Sequence, residues 1–349
     1  MLSAHNQMTE KTYPFWTVSS HTFILGAGAS RAAFPNGDKF CQILPLMYDF
    51  VNVLSLEDFF ECHGIDYKNQ NIEDIYDRLY TENQNNPILE ELNNIIIDYF
   101  TSLRIPDEIT LYDELILSLQ KKDAIFSFNW DPLLVQAYSR NLAIKELPNI
   151  HFLHGNVAIG ICMKDRHVGY LGNKCAICNL PFTPTNLLYP IKSKNYTDDP
   201  FIRGEWQSLE WYLDNSFIVS IFGYNAPKTD VEARNIMKKA WSKNPRYKFN
   251  EIDIIDIKSR EQVEENWAEF MYKSHGGICN DVHATQSFRY ARRSCESWGE
   301  AIMQSSPWRE NNMPQYTNLE ELHRWLAPLI KQEIEFREHG VLINELQGT

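Results

Sequence analysis

Thr22-Phe23-Ile24-Leu25-Gly26-Ala27-Gly28-Ala29-Ser30-Arg31 is the stretch on which the fold turns. Its first four residues form an apolar run without polar alternation, the character of a strand buried on both faces in a parallel sheet. The run passes directly into two glycines one residue apart and then into helix-forming residues. Glycine lets a backbone approach a phosphate, and the first turn of a helix offers unpaired N–H groups at the positive end of its dipole. A tight strand-to-helix turn with no ligand would read the same way. A dehydrogenase-type dinucleotide motif would add a third glycine, then an acidic residue closing a second strand about 20 residues on. Arg31 stands at the third-glycine position and Asp38 to Leu56 reads as helical, which counts against simple hydride transfer.

Four more short apolar runs follow: Ala124 to Phe128, Ile150 to Leu153, Phe217 to Phe222 and Glu251 to Ile257. Helical patterns lie between them. Ile72, Ile75, Tyr76, Leu79 and Tyr80 share one face; Leu89, Leu92, Ile96, Tyr99 and Leu103 share another after the Asn86-Pro87 start signal. Ala233, Met237, Ala240 and Trp241 follow Asp230, and Thr317 with Glu320 makes a capping box before Leu319, Leu322, Trp325, Leu326 and Leu329. Strands alternating with helices predict an α/β fold: a Rossmann-like parallel sheet with flanking helices, a helical insertion at about 38–120 and a helical C-terminal region. The expected division is a tail at 1–20, a nucleotide-binding domain at 21–270, and an irregular, then helical, region at 271–349.

The 349 residues carry a formal net charge of −13, which disfavours nucleic acid and anionic membranes as direct partners. No apolar run approaches the length of a membrane span, and residues 1–21 lack the basic start and apolar core of a signal peptide. Seven cysteines without dense or even spacing fit a reducing compartment, so a cytoplasmic location is expected.

The polar signals gather just past the predicted strands. Asn129 and Asp131 follow the Ala124 run, where an open α/β sheet binds ligands. An amide and a carboxylate so placed suit a sugar that develops oxocarbenium character, although Asp131 equally suits the cap of a helix begun by Pro132. His154, in His151-Phe152-Leu153-His154-Gly155-Asn156, is placed to act as a base near neutral pH; His151 reads as a packed neighbour. His275-Gly276 is a second such pair, but it follows the helical stretch Val263 to Tyr272. Gly223 and Tyr224 open a fourth loop, ending at Asp230 as a helix cap.

Together these residues resemble the sirtuin family, and more closely its divergent bacterial sirtuin-like NADases of antiphage defence, over roughly residues 21–260. The resemblance is carried by Gly26-Ala27-Gly28-Ala29-Ser30, Asn129-Trp130-Asp131, His154-Gly155 and Gly223-Tyr224. It implies that Gly26, Ala27, Gly28 and Ser30 cradle the NAD⁺ pyrophosphate, that Asn129 and Asp131 contact ribose and nicotinamide, and that His154 is the base. The family's deacylase loop is only hinted at by Pro35, Asp38 and Phe40, and its acyl-peptide strand has no counterpart, so water is the expected acceptor. The expected activity is hydrolysis of NAD⁺ to nicotinamide and ADP-ribose in a gated defence effector. The alternatives are a protein deacylase or ADP-ribosyltransferase, and a subunit that senses NAD⁺ or ADP-ribose without cleaving it.

Sirtuins carry a four-cysteine zinc module after the catalytic histidine. Here Cys175-Ala176-Ile177-Cys178 forms a knuckle-like pair, and Cys162 with His167 completes four candidate ligands for a structural Zn²⁺ within about 160–182; free thiols are the alternative. Arg289, Arg292 and Arg293, near Trp298, Trp308 and Trp325, read as a solvated basic patch beside core aromatics. The other reading is an interface for self-assembly or a partner protein, which would supply the gating.

Overall fold

Ile, Val and Phe dominate the segments that pair, because β-branched and aromatic side chains pack well on a pleated surface. The computed structural model describes residues 15–84, 86–189, 196, 198–226, 230–244, 250–271, 275–304 and 308–339. Pro227, Lys228, Thr229 and Tyr272, and residues 1–14 of the expected tail, lie outside that set. One six-stranded sheet is formed by β1 (Ser20–Leu25), β2 (Ala124–Ser127), β3 (Asn149–Phe152), β4 (Ser216–Phe222), β5 (Glu251–Ile255) and β6 (His275–Cys279). All neighbours are parallel and the order is β3-β2-β1-β4-β5-β6. Helices flank it, so the α/β, Rossmann-like reading holds. The strand order reverses between β1 and β4, both buried at every position, and that reversal opens the crevice where such sheets take ligands.

β6 departs from the expected irregular stretch. Its sequence, His-Gly-Gly-Ile-Cys, has little strand character; it becomes a strand because the edge of β5 supplies partners, with Gly277 opposite Asp253. His275 therefore begins a strand, at the edge of the sheet away from the crevice, and stays separate from the residues past the strand ends.

The insertion is helical as expected, with helices Ile72–Glu82 and Pro87–Ser102 capped by the side chains of Asn71 and Asn86. Asp38 to Leu56 is the exception: within it only Phe50–Val53 is helical. The Asp38 carboxylate accepts from the amides of Phe40, Gln42 and Arg104 at 2.8–2.9 Å, tying the backbone into a turn instead of a helix. A three-stranded antiparallel sheet, Ile159–Ile161 between Val168–Tyr170 and Thr183–Pro184, lies between β3 and the helix Pro200–Asn215. No described helix is long and apolar enough to cross a membrane.

The C-terminal helix, Leu319–His339, starts with Asn318 accepting from the Glu321 amide at 3.0 Å, in place of the Thr317 box. Arg292 and Arg293 form no solvated patch and no exposed interface: they are 1% and 2% exposed. Arg292 clamps the Glu333 carboxylate through Nε and Nη2, both at 2.7 Å, and Arg293 joins it at 2.8 Å. The remaining Arg292 donors reach the carbonyls of Leu119 and Glu146, just ahead of β2 and β3. Burial pushes the Glu333 carboxyl up, but the guanidiniums outweigh it and hold it below the usual range. Arg289 pairs at the surface with Glu310. Removing one member of such a buried set leaves an uncompensated charge. Glu333→Ala is expected to lower unfolding free energy by about 3–5 kcal/mol in denaturant titration; a loss within error of zero would show that the helix docks by apolar packing alone.

Glu251 and Asp253 sit two apart on β5 and so face the same side. Burial pushes both carboxyls up, and the Asp253 charge raises Glu251 further. A raised acid pKa means that the folded state holds protons the unfolded chain releases. Stability from this pair is therefore lost as pH climbs from about 4, the unfolded carboxylate value, through neutrality. Glu251→Gln is expected to raise the melting temperature at pH 8 and to leave it unchanged at pH 4, by calorimetry at both values.

Candidate active site

β1 delivers its glycines to the crevice, and β4 delivers Gly223 and Tyr224 to the same place. The Gly26 amide donates to the Phe222 carbonyl (2.9 Å) and the Gly28 amide to the Gly223 carbonyl (3.0 Å). A Cβ on Gly26 would lie 2.5 Å from the Gly223 oxygen, and one on Gly28 2.8 Å from the Gly223 Cα. Gly223 itself has φ +63, and a Cβ there would collide with the Ala29 amide. Close backbone approach is thus what these glycines provide, and the approach made here is turn against turn. Ala27 opens the helix Ala27–Ala33, which carries Ser30 on its buried face.

Past β2, Asn129 turns inward. Its Nδ2 donates to the Gly26 carbonyl at 2.9 Å and to Ser30 Oγ at 2.8 Å. Ser30 Oγ donates in turn to Asp131 Oδ2 at 2.7 Å and lies 2.6 Å from the Tyr112 hydroxyl. Asp131 Oδ1 accepts from the Leu133 amide at 3.0 Å, bridging the turn that leads into the helix Leu133–Arg140, whose N-cap position is Pro132. Both Asp131 oxygens are thus engaged within the protein, and burial pushes its carboxyl up. Burial also pushes the Tyr112 hydroxyl far up, with Asp131 adding to it, so that it stays a protonated partner. Asn156 braces the turn from behind, donating to the Asp131 carbonyl at 2.7 Å.

His154 follows β3, the neighbour of β2, and is 8% exposed. Phe128 packs edge-on to its ring at 4.8 Å and Tyr196 stacks parallel at 5.9 Å. The Tyr196 hydroxyl lies 3.5 Å from His154 Nε2 and donates to Asp230 Oδ1 at 2.8 Å. Tyr224 stacks on Phe128 at 4.1 Å and donates to Asp230 Oδ2 at 3.3 Å. Asp230 stands at the expected helix N-terminus, yet its carboxylate caps nothing and gathers two tyrosines instead. Gly155, at φ +76, leaves no room for a side chain against the Asn186 carbonyl. His151 is a packing residue, stacked on Phe126 at 4.5 Å beside Glu205.

The structure thus gathers Gly26, Gly28, Ser30, Asn129, Asp131, Gly223 and Tyr224 at the ends of β1, β2 and β4, with His154 one strand farther along. Sequence reasoning gave no role to Tyr112, Asn156 or Tyr196. Tyr112 lies in a helix opened by an unread capping box, Thr110 with Asp113. Asn156 sat unremarked beside His154, and Tyr196 has no local pattern to mark it.

Cys162, Cys175 and Cys178 converge in the small antiparallel sheet with Asp165: one ligand atom from each lies within 4.8 Å of all the others. His167 is not in the group, a correction to the expected set; its backbone carbonyl accepts from the Cys162 amide at 2.7 Å. Three sulfurs and a carboxylate oxygen in that compass fit a structural Zn²⁺ site.

No protein-family model matches the chain, and no curated protein does. Solved structures are similar to it at low identity. A Sir2 complex with a p53 peptide and NAD⁺ is 15% identical, with TM-score 0.35, over 83% of this chain and 95% of that one. Sir2Tm bound to a propionylated peptide is 15% identical, with TM-score 0.33, over 82% and 92%. A sirtuin structure on substrate affinity is 16% identical, with TM-score 0.35, over 75% and 89%.

Gly223→Ala is expected to destabilise the fold by about 2 kcal/mol or more, since it adds a left-handed backbone penalty to a backbone collision. Chemical denaturation checks this; wild-type stability would mean that the two turns separate freely.

Proposed function

We propose that the chain cleaves the nicotinamide–ribose bond of NAD⁺, with water as acceptor. The supporting observation is convergence: an amide, an imidazole and two glycine turns come together past the carboxyl ends of β1 to β4, at the reversal of strand order. Gly26, Ala27, Gly28 and Ser30 would line the pyrophosphate, with Gly223 and Tyr224 beside the adjoining ribose. Asn129 orients the reacting ribose and water. Asp131 holds Ser30 in place by accepting from its Oγ and would itself stand at the nicotinamide end. The water oxygen bonds to the anomeric carbon, the C–N bond breaks, and its electron pair neutralises the pyridinium nitrogen. His154 takes the proton from water. The products are nicotinamide and ADP-ribose.

The polar groups of the crevice are satisfied by one another: Asn129 holds Gly26 and Ser30, Gly28 holds Gly223, and Tyr196 covers His154. NAD⁺ would have to replace these contacts. A gate suits an enzyme whose unchecked turnover would drain the cell, and self-assembly or a partner protein in cytoplasmic antiphage defence is the setting we infer.

A deacylase or ADP-ribosyltransferase would share the first bond cleavage, and the peptides named with the similar Sir2 structures keep that second reading in view. A nucleotide sensor would bind without cleaving. Product analysis with NAD⁺ alone, with and without an acylated peptide and candidate activators, separates the three. Hydrolysis without peptide is expected; release of nicotinamide only with peptide would favour transfer, and binding without any product would favour sensing. His154→Ala is expected to cut turnover by about 10²–10⁴ while the protein stays folded. Normal turnover in that variant would overturn the assignment.

A further inference from the structure

At the amino edge of the sheet, away from the crevice, the chain encloses a cavity of about 230 Å³. Thr17 and Val18 lead to it ahead of β1, and Gln120 to Lys122 ahead of β2. Arg293 and Glu296, at the start of the helix Ser294–Ile302, and Glu333, Phe336 and Arg337 of the last helix complete the wall. The charges there are unevenly matched. Lys122 donates to Glu296 Oε1 at 2.8 Å and to the Thr17 carbonyl at 2.9 Å. Arg293 shares Glu333 with Arg292. Lys121 and Arg337, both half-exposed, share Glu146 at 3.9 and 2.7 Å. Five cations thus divide three carboxylates, in a chain whose formal net charge is −13. Asp123, beside Lys122, is spent on the amides of His21 and Gln120, each at 2.8 Å, and burial pushes its carboxyl up to about 6.

Two residues of the wall keep a buried polar atom with no partner among the described residues. Arg293 spends Nη1 on Glu333 and the Arg292 carbonyl and Nη2 on the Leu329 carbonyl, which leaves its Nε unpaired. Glu296 spends Oε1 on Lys122, which leaves its Oε2 unpaired. The two residues are 2% and 4% exposed. A buried donor or acceptor left unmade keeps its desolvation penalty. An occupant that offers an acceptor to the guanidinium and a donor to the carboxylate removes both penalties.

We propose that this cavity binds a small phosphate monoester bearing hydroxyl groups, with Lys121, Arg337 and Arg293 on the phosphate and Glu296 accepting from a hydroxyl. The surplus of positive charge selects the anion. A phosphate monoester carries about −1.5 to −2 near neutral pH and three acceptor oxygens, more than one carboxylate supplies, and guanidinium groups match its geometry. Val18 and Phe336 give the wall an apolar part that suits a carbon skeleton. The volume equals about eight waters at liquid density and falls below the roughly 300–1,000 Å³ of pockets for larger ligands. A few carbons beside one phosphate fit; a nucleotide is too large. Such a ligand would bridge the approach to β2 and the last helix, adding to the hold of Glu333. The proposal is independent of any activity on NAD⁺.

Calorimetric titration of the full chain with glycerol 3-phosphate tests this. One saturable site per chain is expected, weakening as salt screens the charges. Inorganic phosphate, and propyl phosphate, which keeps the carbons but has no hydroxyl, should each bind more weakly by roughly 10-fold or more, the worth of one charge-assisted hydrogen bond. Lys121→Gln combined with Arg337→Gln should weaken glycerol 3-phosphate by a similar factor. The ligand should raise the melting temperature of the wild type more than that of the double variant at the same concentration. If the double variant fails to fold, Lys121→Gln alone and the comparison of phosphates still decide. Four results would each overturn the proposal: no saturable binding, equal binding of all three phosphates, tighter binding of the dicarboxylate malate, or undiminished binding in the folded double variant, which would put the anion elsewhere.

Discussion

The contact between two backbones at the strand-order reversal governs the rest of the structure. The Gly28 amide meets the Gly223 carbonyl, and no Cβ fits between the turns on either side. Any larger residue at Gly26, Gly28 or Gly223 would push β1 and β4 apart where they end. Because the turns touch, the Gly26 carbonyl and Ser30 hydroxyl come within reach of the Asn129 amide. Tyr224 is brought onto Phe128, and Phe128 onto His154. One close approach thus orders groups contributed by four strands.

Buried polar systems occupy both edges of the sheet. At the carboxyl edge, Asn129, Ser30, Asp131 and Tyr112 satisfy one another in a closed network. At the opposite edge, Arg292 and Arg293 share Glu333 and reach carbonyls just ahead of β2 and β3. Each is expensive to leave half-made, because an unpaired polar group in a low-dielectric interior keeps its full desolvation penalty. The first network pre-orients a candidate site, and the second fastens the last helix to the body of the fold. β2 runs between them.

The five apolar runs were legible as strands because burial on both faces leaves an unmixed hydrophobic signature. β6 was not, since two glycines in five residues carry no such signature and only the waiting edge of β5 makes them a strand. The loop after Pro35 misled in the other direction: its apolar residues mimic helix spacing, while Asp38 captures the backbone amides that a helix would need. Within the candidate site, Asn129, His154 and the glycine turns could be found because each follows a readable strand. Tyr196 and its hydrogen bond to Asp230 could not, because that partnership spans segments with no shared pattern.

By itself, then, the sequence determined the α/β architecture, the parallel sheet and the edge of that sheet at which the polar motifs collect, since these follow from periodicity and strand-end chemistry along the chain. Tertiary structure alone decided that Asp165 stands in for His167 beside the three cysteines, that Asp230 binds tyrosines and caps no helix, and that two arginines are sealed around one glutamate. Ligand sets and ion pairs depend on through-space distances between distant segments, and spacing along a chain does not encode those distances.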